Sequence, residues 1–287
     1  MKTEDRVLAC VDQSKFANYV VDYAAWAARQ LNAPLELLHV IDRHPEISSS
    51  DDHSGAIGVN AQEKLLTQLS DEDQARSKAA REQGRLFLNE LRQRALAAGA
   101  PSVDVRQRHG QLEETLVEQQ PGVRLFILGR RGKSAETTQR DLGRNLERVV
   151  RALHRPILTI NDTFKPVKQV MVAFDGGITT RAGIEKIATS PLLKGLPIHI
   201  LMSGKEKSDA REQLEWATER LKSAGFETSS ALVPGDAESV IGAAVQERNI
   251  DILIMGAYHH SALRSALFGS KTSDLLRASQ VATLLLR

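Results

Sequence analysis

Cysteine is almost missing from this chain: Cys10 is the only one in 287 residues. No disulfide can form within the molecule, and a reducing compartment is the expected setting. Charge of one sign is missing too. Lys and Arg number 38 against 36 Asp and Glu, a formal net charge of +2, so nothing polybasic calls for nucleic acid or a membrane surface. No apolar run approaches a bilayer span, and Met1-Lys2-Thr3-Glu4-Asp5-Arg6 carries no apolar secretion segment. The cytoplasm is the expected location. What is present is ordinary: 41% hydrophobic and 26% charged residues, in a length that suits two domains. Each half can bury about two-thirds of its unfolded surface, so neither needs a disulfide or metal staple.

The chain reads as one unit written twice. Val7-Leu8-Ala9-Cys10-Val11-Asp12 opens the first copy and Val170-Met171-Val172-Ala173-Phe174-Asp175 the second. Each continues with an apolar run (35–40, 198–202), a Gly-led helix after Gly110 or Gly235, a run ending in Gly129 or Gly256, and a closing run (156–160, 281–285). The order of matches is preserved, which sets the expected division: 1–162 as the first domain and 163–287 as the second.

Short β-branched apolar runs read as strands buried on both faces. In the first copy they fall at 7–11, 35–41, 103–108, 125–128 and 157–160. Ser14 can cap the first helix, whose apolar face carries Phe16, Val20, Tyr23, Ala24, Ala27 and Leu31, and Pro34 stops it. Residues 43–72, rich in Ser, Asp and Gly, read as an excursion with at most a short helix near 61–69. A charged helix follows over 74–98, then helices at 112–119 and 146–153. After a linker at 161–167, the second copy has strands near 169–174, 198–202, 228–233, 251–255 and 281–286. Its helices fall near 179–188, 208–224, 237–248 and 270–278. Alternating strands and helices imply right-handed crossovers and a parallel α/β sheet covered on both faces, with ligands beyond the carboxyl ends of the strands.

Those ends hold glycine. Gly129-Arg130-Arg131-Gly132-Lys133 follows the fourth strand, and Gly143-Arg144 opens the next helix. The second copy has Gly256-Ala257-Tyr258-His259, then Gly269-Ser270. A glycine loop running into a helix N-terminus offers unpaired N–H groups and a dipole that favours an anion. The bland alternative is that these glycines only end strands and form turns. Gly132-Lys133-Ser134 is not a P-loop, because Ile127 holds the required earlier glycine position, and 175–180 lacks the residues of an ATP-pyrophosphatase loop.

With these residues in place, the layout resembles a tandem universal stress protein of the UspA type, over nearly the whole chain. The resemblance implies two Rossmann-like domains, each a five-stranded parallel sheet of order 3-2-1-4-5 flanked by helices. Nucleotide-binding members carry Gly-x2-Gly-x9-Gly-Ser/Thr after the fourth strand and an Asp after the first. Carried over residue by residue, the implied ligands of ATP, with Mg²⁺, are Asp12, Val40, Gly129, Gly132 and Gly143 in the first copy. In the second they are Asp175, Gly256, Gly269 and Ser270. Both copies depart from the pattern. Ten residues separate Gly132 from Gly143, and Arg144 stands where Ser or Thr is expected. Arg130, Arg131, Lys133 and Arg144 either collect phosphate charge or form a solvated basic face. The second copy keeps the spacing, but His259 replaces the second glycine and Ser203 stands opposite Val40. Positive φ at position 259 would cost roughly 1–2 kcal/mol. The intact spacing favours the second copy.

Other signals are weaker. His259-His260 has no third metal ligand at a suitable spacing, and no nucleophile elbow supports hydrolase chemistry. Cys10, Trp26 and Trp216 read as core, and the charged helix as a solvated face. Three functions follow: a non-catalytic stress-response module that binds an adenine nucleotide, a nucleotide-independent scaffold or small-ligand-binding protein with degenerate sites, and a weak nucleotide hydrolase. The first is expected, with the two halves paired through their last strands or with the chain as a homodimer.

Overall fold

The computed structural model describes residues 6–41, 61–132, 144–161, 163–204, 209–256, 276 and 279–286, and only the backbone over 61–77 and 144–145. In the first half, β1 (Arg6–Cys10), α1 (Ala17–Leu31), β2 (Leu35–Ile41) and α2 (Ala61–Ala97) are followed by β3 (Val103–His109) and α3 (Leu112–Gln119). Then come β4 (Val123–Gly129), α4 (Arg144–Ala152) and β5 (Ile157–Ile160). The second half starts with β6 (Val170–Ala173), α5 (Ile178–Thr189), a short 3-10 turn (Pro191–Leu193) and β7 (Ile198–Ser203). It ends with α6 (Ala210–Ser223), β8 (Thr228–Val233), α7 (Ala237–Glu247), β9 (Ile252–Gly256) and β10 (Ala282–Leu286).

The strands form one ten-stranded sheet of order β3-β2-β1-β4-β5-β10-β9-β6-β7-β8. Each half is parallel with internal order 3-2-1-4-5, as the resemblance implies. The register proves the repeat residue by residue. Cys10 lies beside Leu38 and Leu128, and Ala173 beside Leu201 and Met255. Asp12 and Asp175, Val40 and Ser203, and Gly129 and Gly256 therefore occupy matching places.

The halves meet at β5 and β10, which pair antiparallel with Leu158 opposite Leu284 at the centre. Thr159 faces Thr283 on one side of that centre, and Ile157 faces Leu285 on the other. One core cluster runs through this seam on one face, from Val7 and Leu37 to Ile254 and Leu286. Phe126, fully buried on the opposite face, contributes about 2–3 kcal/mol by leaving water. The linker is packed too: Phe164 meets Tyr23 edge-on at 4.8 Å.

Three sequence expectations change. The charged helix does not begin at 74: α2 is continuous from Ala61 to Ala97. The Ser and Asp that suggested an excursion include no proline or glycine between 61 and 83, so nothing breaks the ladder. Ser14 does not cap α1 directly, since Phe16 holds that position. Ser14 sits in the turn before it, where its hydroxyl accepts from Phe16 N at 3.4 Å. Finally, α1 is buried on more than one face, because Ala24, Ala25, Ala27 and Ala28 all lie at 0% exposure. It is held between the sheet and α2, where Arg94 grips Asp22 through two 2.7 Å bonds.

Buried polar groups sit near the amino ends of the central strands. Glu36, at 5% exposure, lies 3.2 Å from Arg6 Nε and 3.1 Å from Arg106 Nε. By register its counterpart is His199, which shares a 2.8 Å hydrogen bond through Nδ1 with the Ser229 hydroxyl. His199 Nε2 is buried without a hydrogen-bond partner among the described residues. Burial, then the nearby Arg248 charge, depress its pKa to about 4.

Candidate functional site

At the carboxyl end of β1 the chain turns sharply into α1. Asp12 shapes that turn: its Oδ1 accepts from Ser14 N at 3.3 Å and from the Ser14 hydroxyl at 2.5 Å. An Asp two residues before its donor is a common way to close such a turn. The other carboxylate oxygen faces the glycine loop. A Cβ placed on Gly132 would stand 2.5 Å from Asp12 Oδ2. Only glycine fits there without displacing the carboxylate, so two residues 120 positions apart in sequence form one wall.

Gly129 closes the same end of the sheet. A Cβ there would lie 3.0 Å from the Arg131 carbonyl and 3.4 Å from Val20 Cγ2. Val40, near the end of β2, is half-buried and, like Cys10, packs against the core cluster on the α3–α4 face. The Cys10 thiol is pushed up to about 12, chiefly by burial and then by the Asp12 charge. A thiol so protonated is a poor nucleophile at neutral pH. Gly143 lies outside the described residues.

The second copy repeats the turn. Asp175 Oδ1 accepts from Gly177 N at 2.9 Å and from Thr180 Oγ1 at 2.6 Å. Gly256 ends β9 against α5, where a Cβ would come within 3.2 Å of the Thr179 and Thr180 methyls. The Gln213 side chain fills the space beside Gly176. Gly269, Ser270 and His259-His260 lie outside the described residues. The structure thus brings together Asp12, Gly129 and Gly132 in one half and places Asp175 and Gly256 alike in the other.

Arg130 is no solvated face: at 8% exposure its guanidinium reaches into the seam. Its Nε reaches Thr159 Oγ1 at 3.3 Å. Its terminal nitrogens donate to the Ser279 carbonyl, to the Val281 carbonyl at 3.0 Å and to Thr283 Oγ1 at 2.5 Å. No sequence signal near Arg130 reveals this, because its partners other than Thr159 lie about 150 residues downstream. Arg131 remains half-buried beside Gly132. Among the described residues no group of three or more His, Cys, Asp or Glu is placed to hold a metal ion, and no helix is long and apolar enough to cross a membrane.

Comparison with known proteins matches this architecture. The model of the universal stress protein family matches residues 4–161 and 188–287. A universal stress protein of Synechocystis is 34% identical over 284 residues, 98% of this chain and 99% of that protein. Among solved structures, a universal stress protein from Archaeoglobus fulgidus superposes with a TM-score of 0.69 at 18% identity, covering 99% of this chain and 96% of that one. A Pseudomonas aeruginosa protein of unknown function superposes with a TM-score of 0.61 at 20% identity, covering 99% and 93%. Two shorter universal stress proteins, solved with cAMP and with dAMP, align with 42% and 43% of the chain at TM-scores of 0.37 and 0.34.

Proposed function

From the premise that this chain belongs to the universal stress protein family, we propose that it is a non-catalytic module responding to an adenine nucleotide, ATP with Mg²⁺. The observation that carries this reading is the closeness of the Asp12 carboxylate to Gly132, where an added Cβ would stand 2.5 Å from Oδ2. A glycine that no other residue can replace without moving an acid at the strand ends is what a phosphate-approaching loop requires. On this reading Gly129 and Gly132 let the loop approach the phosphates, while the Arg130 N–H stays with the Ile160 carbonyl at 2.9 Å; Gly143 completes the loop, and Asp12 and Val40 line the nucleoside side. Asp175, Gly256, Gly269 and Ser270 form the second copy's equivalent. The spacing favours that second copy, and the Asp12–Gly132 wall supports the first, so the proposal covers both. Domains of 1–162 and 163–287, paired within one chain in the cytoplasm, belong to the same reading.

Calorimetric titration of the full chain with ATP and Mg²⁺ tests it. Saturable binding that weakens in Asp12→Ala or Ser270→Ala is expected. Absence of heat, together with no thermal shift at millimolar nucleotide, sinks it. One observation favours the scaffold reading instead: the Arg130 guanidinium reaches the Val281 carbonyl and the Thr283 hydroxyl at the seam. Stoichiometric ATP co-purifying with the protein would exclude that alternative.

A further inference from the structure

On the face of the seam opposite Arg130 lies a cavity of about 220 Å³ whose lining includes no residue of either glycine loop. Both halves build it: Leu31 and Leu125 come from the first, and Ile187, Leu193, Leu284 and Leu286 from the second. Two cations, Arg124 and Lys186, share the lining, and no acid does. Neither makes an ion pair with a described residue. The one acid adjacent in sequence, Glu185, is bound by Arg220 at 2.8 Å. Partial burial, then the neighbouring Arg155 charge, lower the Lys186 pKa, as expected of an ammonium short of countercharge.

An apolar chamber with a few convergent polar groups is the usual make-up of a small-molecule site. Here those groups are positive, so the complementary ligand has one anionic end and an apolar body. Size sets the body. A cavity of about 150 Å³ takes benzene, so this one takes roughly eight to ten heavy atoms. We propose that the seam cavity binds a medium-chain aliphatic carboxylate, its tail among the leucines and its carboxylate met by Arg124 and Lys186. Because the walls come from both halves, such a ligand holds them together whether or not a nucleotide occupies the strand ends.

Octanoate, titrated calorimetrically into the full chain, is the probe. The expected result is saturable one-to-one binding, at least about tenfold tighter than neutral octanol and weakened about tenfold or more in Arg124→Gln/Lys186→Gln. Both substituted side chains reach solvent, and a thermal melt confirms that the variant folds. Failure to saturate at millimolar octanoate, equal affinity for octanol, or an unchanged affinity in the double variant would each overturn the proposal. Nucleotide binding is not needed for any of these readouts.

Discussion

The Arg130 guanidinium donates to the Thr283 hydroxyl at 2.5 Å, across the one antiparallel strand pair in an otherwise parallel sheet. The same guanidinium holds the Val281 carbonyl at 3.0 Å, and Thr159 Oγ1 donates to the Thr283 carbonyl at 3.2 Å. A residue of the first glycine loop therefore ties down the start of the second half's last strand.

Arg130→Met keeps much of the aliphatic volume but leaves buried acceptors without their donor. The expected loss is about 2–4 kcal/mol of unfolding free energy, from the desolvation of groups left unpaired. Urea denaturation measures it. A change below about 0.5 kcal/mol would mean that water replaces the guanidinium.

Gly132→Ala sets a methyl 2.5 Å from an Asp12 oxygen, and Asp12 is itself held by Ser14. The carboxylate must move, at an expected cost of about 1 kcal/mol in stability and about tenfold in nucleotide affinity. Adding Asp12→Ala should recover the stability but not the affinity. A double-mutant cycle reads the coupling, and strict additivity in stability would show that the two residues do not compete for space.

His199 predicts a pH dependence. Its folded value of about 4 lies below the ordinary 6.5, so between these values the unfolded chain carries a proton that the native chain refuses. Stability therefore rises with pH across this window, is complete above 6.5, and is lost as pH falls through 4. The difference is up to about 3 kcal/mol. Urea midpoints at several pH values should show a shallower acid slope in His199→Gln than in the wild type. Parallel slopes would refute the assignment.

Cys10 should resist alkylation in the folded protein. Raising a thiol from 9.0 to about 12 cuts its thiolate fraction by about a thousandfold at pH 8. Iodoacetamide labelling followed by mass spectrometry should be slow in buffer and rapid in urea. Equal rates would place the thiol in open solvent.

The sheet was legible because parallel strands buried on both faces leave dense apolar runs, such as 125–128 and 252–255; their repetition supplied the domain count, and the family resemblance implied the strand order. The α2 helix was legible as two pieces, a short one near 61–69 and a longer one over 74–98, because Ser70, Asp71 and Asp73 lie between them and composition is a weak guide where no breaker intervenes. Asp12 and Gly132 were each visible as candidates, but their contact follows from strand order, which brings β1 beside β4. Arg130 was open to two readings, because a basic residue inside a glycine loop can meet a phosphate or face solvent. Its partners, 279–283, and the walls of the seam cavity depend on how the halves join, which local pattern does not encode.

Pairing of β5 with β10 has a consequence for how such a chain diverges. In a two-fold dimer every substitution at the join is made twice, and each residue must suit its own mirror partner. Here one gene holds both sides, so Thr159–Thr283 with Arg130 occupies one flank while Ile157–Leu285 occupies the other. Selection can alter either flank alone. Chains of this kind are free to keep one ancestral pocket, retune the other, and remain assembled at any dilution.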